Sequence, residues 1–134
     1  MNLGLAQGYL EKNQIKKATD RATMALTSDP GSADVHAVFA LIHTRNGDLD
    51  KAAREFARAL QIAPSDGSIL NAHASWLCER GQSAQADQEF ARALQDVGYR
   101  SPLQALSNAG KCAHKAKQWS KAEAYFRQIG RAHV

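Results

Sequence analysis

Prolines number three, glycines nine, cysteines two, and aromatic residues make up only 7% of the 134 positions. So few turn-formers are too few for a chain of many short strands. Two cysteines exclude a disulfide-dense framework. No stretch approaches the ~18 consecutive apolar residues of a membrane-spanning helix. The opening MNLGLAQGYLEKN lacks a basic start leading into a long apolar segment, so an exported form would carry its targeting segment before Met1. A dominant charge sign is missing too: 17 Lys and Arg against 13 Asp and Glu leave +4. That mild excess favours acidic partners and falls short of a nucleic-acid-binding composition. With 44% apolar and 22% charged residues, the chain is not disordered. Alanine is abundant and β-branched residues are scarce, which predicts helices packed closely together.

The chain repeats itself. EFARAL occurs at Glu55 to Leu60 and again at Glu89 to Leu94, and the surrounding GDLDKAAREFARAL (47 to 60) aligns with GQSAQADQEFARAL (81 to 94). NQIKKATDRATMAL (13 to 26) sits one period earlier, and KQWSKAEAYFRQIG (117 to 130) one period later with an insertion. Pro30 and Pro64 keep the same spacing. Each unit reads as two amphipathic helices joined by a short polar turn. The spacing predicts hairpins over 1 to 28, 33 to 62, 67 to 97 and 103 to 133. Asp48 and Ser83 are expected to cap second helices, Ser120 and Glu123 have capping-box spacing, and Ser101 before Pro102 is expected to start the fourth hairpin. The lengthened linker QDVGYRSPLQAL reads as a neutral loop, or as a local change in superhelical twist.

The pattern resembles the tetratricopeptide repeat. The signature places are held by Ala40 and Ala74 in first helices, Gly47 and Gly81 at the turns, and Ala52, Phe56, Ala59 and Ala86, Phe90, Ala93 in second helices. The resemblance implies an all-α fold: a right-handed superhelical solenoid of four helical hairpins, about eight antiparallel helices. It would be one array over 1–134, with repeats at about 1–30, 31–64, 65–100 and 101–134. A lone hairpin cannot bury its apolar face, so each unit would be stabilised by its neighbours.

Catalytic and metal-binding patterns are absent. GKC at Gly110 to Cys112 is not a phosphate loop, because Ala105 stands where the earlier glycine is needed and Cys112 where Ser or Thr is needed. No serine-nucleophile elbow or paired-histidine zinc motif occurs. Cys112 and His114, two apart, point to nearly opposite sides of a helix and do not suit joint ligation. His36, His43 and His73 read as hydrogen-bonded structural residues, and Trp76 and Trp119 as packing residues. The basic run Lys111, His114, Lys115, Lys117 and Lys121 reads as solvated surface, or as a patch for an acidic partner or anionic lipid. No enzyme activity, cofactor or metal is expected.

Carrying the groove positions of tetratricopeptide repeats onto this chain gives a candidate partner surface. It comprises Leu3, Gln7 and Leu10; Asp34, Ala37, Leu41, Thr44 and Arg45; Ser68, Asn71, Ser75 and Glu79; and Gln104, Ser107, Lys111, His114 and Lys115. The clamp that reads chaperone tails needs Lys and Asn at particular places, where this chain has Ala37, Leu41, Ala72, Gln104 and Asn108. Only the asparagine remains, so that use is set aside, and recognition of a helix or an extended peptide stays open.

Longer stretches resemble the type IV pilus biogenesis and stability lipoproteins, the pilotins of the PilF/PilW kind. These are NLGLAQGYLEKNQIKKA, the stretch from ADVHAVFALIHTRNGD to HASWLCERG, and above all ALQDVGYRSPLQALSNAGKCAHKAKQWSKAEAYFRQ with its tyrosine-containing linker. The resemblance implies a periplasm-facing scaffold, anchored to the outer membrane by lipid, that helps a secretin localise and assemble. Family members carry a lipid-bearing N-terminal cysteine and further repeats, so this sequence is expected to be a piece of a longer protein, with Val134 ending a hairpin without a polar cap. The competing reading is a bacterial cytosolic adaptor that binds a peptide or helix in its groove.

The two cysteines bear on that choice. Cys78, in WLCERGQ, lies on the third unit's first helix; Cys112 lies on the fourth's, two places earlier within its repeat. Two places turn a helix by about 200°, so one side chain faces forward along the stack and the other back. A bridge between neighbouring parallel helices needs that relation, with Cα atoms within ~7 Å. The spacing favours an intrachain disulfide; buried free thiols or a reactive thiol are the alternatives. A disulfide favours export and free thiols the cytosol.

Overall fold

The computed structural model describes residues 1–132. It holds α1 (Asn2–Glu11), α2 (Ile15–Ser28), α3 (Ala33–Arg45), α4 (Leu49–Ile62), α5 (Gly67–Glu79), α6 (Ser83–Gln95), α7 (Pro102–Lys115) and α8 (Trp119–Ala132), with no strand among the described residues. Consecutive helices pair as hairpins: α1 with α2, α3 with α4, α5 with α6 and α7 with α8. The chain divides into two compact units, Met1–Pro64 and Ser65–Val134, of two hairpins each. The expected end of the last hairpin at 133, and Val134 after it, lie outside the described residues.

Each hairpin turns through one left-handed residue. Gly47 (φ 81°) and Gly81 (φ 80°) do so in the central hairpins, Asn13 (φ 59°) and Lys117 (φ 62°) in the outer ones. The next N–H then bonds a carbonyl five residues back: Gln14 to Tyr9, Asp48 to His43, Gln82 to Leu77 and Gln118 to Ala113, at 2.8, 2.8, 3.0 and 2.8 Å. These bonds satisfy the orphan carbonyls at the ends of first helices. Glycine takes this conformation freely and asparagine tolerates it; lysine adopts it at a steric cost. The sequence reading recognised the two glycines and not their outer equivalents.

The caps differ from expectation. Asp48 precedes α4 but accepts no capping hydrogen bond, and Ser83 is the first residue of α6, with Gln82 at the cap position. Ser120 lies inside α8, which begins at Trp119; Ser101 and Pro102 do start α7 as expected, with no side-chain cap hydrogen bond. Side-chain caps form instead at Ser32, whose Oγ accepts from Val35 N–H, and at Asp66, which accepts from the Ser68 and Ile69 N–H groups. The backbone explains the difference. Ser32 and Asp66 have the extended conformation of a good cap, with ψ of 118° and 115°, whereas the tight turns hold Asp48 and Gln82 at 71° and 58°.

Alanine allows the close packing. In the first unit Ala6, Leu10, Ala18, Ala22, Val38 and Ile42 form one buried cluster; in the second, Ala74, Leu77, Ala86, Phe90, Ala109 and Cys112 form another. Between α6 and α7 the linker is tied down and is not a neutral loop. Asp96 accepts from the Gly67 N–H at 2.7 Å and the Gly98 N–H at 3.0 Å. The Tyr99 ring lies so close over Gly67 that a Cβ there would meet it at 2.7 Å. Gly110 of α7 is covered by the Phe126 ring in the same way.

Candidate protein-interaction surface

In the first unit the candidate residues lie on α1 and α3. Gln7, Asp34 and Arg45 are exposed; Leu3, Leu41 and Thr44 are half-buried; Leu10 and Ala37 are buried. Leu10 belongs to the core, so it supports the surface from beneath. Arg45 is held in place, its guanidinium donating to the Leu10 carbonyl at 3.1 Å and to Asn13 Oδ1 at 3.3 Å, which ties the end of α3 to the end of α1.

In the second unit Ser68, Glu79, Gln104, Lys111, His114 and Lys115 are exposed, Ser75 and Ser107 half-buried, and Asn71 only 8% exposed. Asn71 Oδ1 accepts from Asn108 Nδ2 at 3.2 Å, joining α5 to α7. Further along the same two helices Cys78 and Cys112 form a disulfide, their Cα atoms 6.0 Å apart. The small Ala109 of α7 packs in one buried cluster with Ala74 and Leu77 of α5, where the helices approach closely enough for that bond.

The basic run divides. Lys121 pairs with Asp87 at 3.1 Å, while Lys111, Lys115 and Lys117 stay exposed without carboxylate partners among the described residues. His114 packs edge-on against Trp119, with ring centroids 4.9 Å apart. That contact leaves Trp119 57% exposed, so the reading of Trp119 as a packed residue is corrected: it opens α8 at the surface. Trp76 does pack, against the second unit's core, with the Arg80 guanidinium 4.5 Å from its ring centroid.

His36 and His73 sit against carboxylates. His36 Nδ1 lies 2.7 Å from Glu55 Oε2 and His73 Nδ1 2.6 Å from Glu89 Oε1. Glu55 and Glu89 are the glutamates of the two EFARAL copies, so each copy engages a histidine of its own hairpin. The two histidines stand at different places within their repeats, His36 nineteen residues before its glutamate and His73 sixteen, so the repeat alone does not reveal the pairing. Tyr125 donates to Asp87 Oδ1 at 2.7 Å; burial first, then that hydrogen bond and the aspartate's charge, push its phenol well above the usual range. Tyr99 is raised in the same sense by burial and by Asp66. Among the described residues no three of His, Cys, Asp and Glu converge as a metal site would require, and no helix is long and apolar enough to cross a membrane. The arrangement offers side chains for binding another chain: apolar and mixed on α1 and α3, polar and basic on α5 and α7.

Stacked two-helix hairpins, a left-handed residue at every turn and alanine where helices meet define a helical-repeat interaction protein. The tetratricopeptide-repeat profile matches residues 3–67, and the eight-helix fold is that of tetratricopeptide-repeat proteins. Such proteins bind protein partners. The chain is related to type IV pilus biogenesis proteins. The type IV pilus assembly protein PilF of Pseudomonas aeruginosa is 29% identical over 126 residues, which are 94% of this chain and 49% of that protein. The solved structure of Pseudomonas aeruginosa PilF superposes with a TM-score of 0.87 at 28% identity, covering 97% of this chain and 59% of that one. The crystal structure of PilW, a widely conserved type IV pilus biogenesis factor, gives 0.85 at 33% identity, covering 98% and 60%. The chain therefore spans about half the length of the curated PilF.

Proposed function

We propose that this chain is the repeat-bearing part of a type IV pilus pilotin: a non-enzymatic scaffold that binds an outer-membrane secretin and assists its localisation and assembly into a multimer. The observation that carries the reading is similarity to PilF and PilW over 94% to 98% of the chain, in sequence and in structure. A lipid anchor upstream of the repeats, holding the scaffold on the periplasmic face of the outer membrane, belongs to the same proposal. The Cys78–Cys112 disulfide supports it, because such bonds persist in oxidising compartments and are rare in the cytosol. The relatives point to the cell envelope in general; the secretin and the anchor are the finer steps. The test is co-purification of the tagged full-length protein with the secretin of its own host, together with secretin multimer levels in cells lacking the gene. The expected result is a co-purifying secretin and loss of multimer on deletion. Normal multimer levels and no co-purification would overturn the proposal.

A further inference from the structure

The turn between α7 and α8 differs from the other three in what it carries. Asn13, Gly47 and Gly81 take the left-handed place in those turns; here it is Lys117, at φ 62°. A lysine holds that conformation at a steric cost that glycine would avoid, and strain of this kind points to a side chain with a use. Two residues on, Trp119 opens α8 with its indole 57% exposed. That exposure belongs to its place in the hairpin: Ala84, at the same place in the third hairpin, is exposed too, although α7 packs against α6 there. Phe126 is a separate matter, because it holds the place at which Phe90 packs with Ala109 and Cys112 of the following hairpin.

Charge at this turn has one sign. Between Val97 and Ala122 the sequence contains no Asp or Glu, and it includes Arg100, Lys111, Lys115, Lys117 and Lys121. Lys117, Trp119 and Lys121 line one open depression. Carboxylates on the neighbouring segments are engaged: Asp87 by Lys121 and Tyr125, Glu123 by Arg127, and Glu79 by Arg80. Glu79 matters because the Cys78–Cys112 bond ties α5 to α7 near the ends of both helices and so sets the α5–α6 turn beside this one.

We propose that the α7–α8 turn is a peripheral contact for an anionic lipid surface, with Trp119 entering the headgroup region and Lys115 and Lys117 lying over lipid phosphates. An exposed indole suits that boundary, because its ring is apolar and its N–H still finds a hydrogen-bond acceptor there. The lysines suit it as well. A compact charge on a flexible stem follows phosphates that move in the plane of a bilayer, whereas a fixed carboxylate of a protein is better held by the planar fork of arginine. The contact uses a turn and the first residue of a second helix, so it stands or falls independently of the pilotin reading.

The test is sedimentation of the oxidised protein with vesicles of one part phosphatidylglycerol to three parts phosphatidylcholine, beside vesicles of phosphatidylcholine alone. Binding to the anionic vesicles only is expected, weakening as salt is raised. Lys117→Gly should lower the partition coefficient about fivefold, the effect of one cation near a charged surface, while its urea midpoint stays level or rises because the turn has lost its strained residue. Lipids brominated in the acyl chain should quench the emission of the native protein and spare that of Trp119→Phe, whose remaining Trp76 packs against the core. No binding, equal binding to both kinds of vesicle, undiminished binding by Lys117→Gly, or quenching that survives Trp119→Phe would overturn the proposal. Capture by immobilised polyglutamate without vesicle binding would overturn it too, assigning the turn to an acidic protein. Secretin co-purification is a separate readout, and neither result predicts the other.

Discussion

Phe56 and Phe90 hold the same place in the two EFARAL copies, and both are fully buried. Phe90→Ala should therefore lower unfolding free energy by about 3 to 5 kcal/mol, through lost transfer and an unfilled cavity, with helicity retained at low denaturant. A shift in the urea midpoint equivalent to less than about 1 kcal/mol would show that the site collapses around the alanine. Tyr125 gives a pH effect of definite sign. Its folded-state pKa is raised, so the folded chain holds the phenolic proton more tightly than the unfolded chain, whose value is 10.0. The resulting stability is complete below that pH and is lost as the pH climbs through the folded value. Melting temperature should fall more steeply above about pH 10 in the native chain than in Tyr125→Phe. Equal slopes would mean that Asp87 does not retain the hydrogen bond in alkaline solution. Single positions such as these phenylalanines were legible in the sequence because the repeat shows each twice. Asn13 and Lys117 were not, since their left-handed backbone comes from the turn's carbonyl bonding and not from the side chain.

At the level of helices, the disulfide is the strongest local constraint on α5 and α7. It closes a loop between residues 34 apart, and the chain-entropy account gives about 3 to 4 kcal/mol for a loop of that size. The oxidised protein should outlast the reduced protein, or Cys78→Ser/Cys112→Ser, by that amount in denaturant. Coincident unfolding curves would assign no stabilisation to the bond. Helix boundaries were readable within a few residues, because the alanine and aromatic period fixes which face is buried. Cap chemistry was misassigned because it depends on ψ at one residue, which residue type does not report: Asp48 has the right side chain in the wrong conformation, and Ser32 has both. The linker was equally opaque, since Asp96 reaching the Gly67 N–H joins residues 29 apart.

For the molecule as a whole, the period and the alanine content determined an all-α helical repeat, because helical periodicity is local and a repeat states it several times over. The same residues carried the resemblance to pilus biogenesis proteins that the comparisons with PilF and PilW then supported. Which residues of the candidate surface are available was a different matter. Leu10, Ala37 and Asn71 occupy groove positions carried over from the repeat resemblance yet are buried, while Lys111 and Lys115 remain open. Periodicity gives the direction in which a side chain leaves its helix; what meets it there depends on the neighbouring helix. Only the tertiary structure brought Asn71 to Asn108 and each EFARAL glutamate to its histidine, because these are contacts between helices, whereas the Cys78–Cys112 bond was already favoured by the positions of the two cysteines within their repeats.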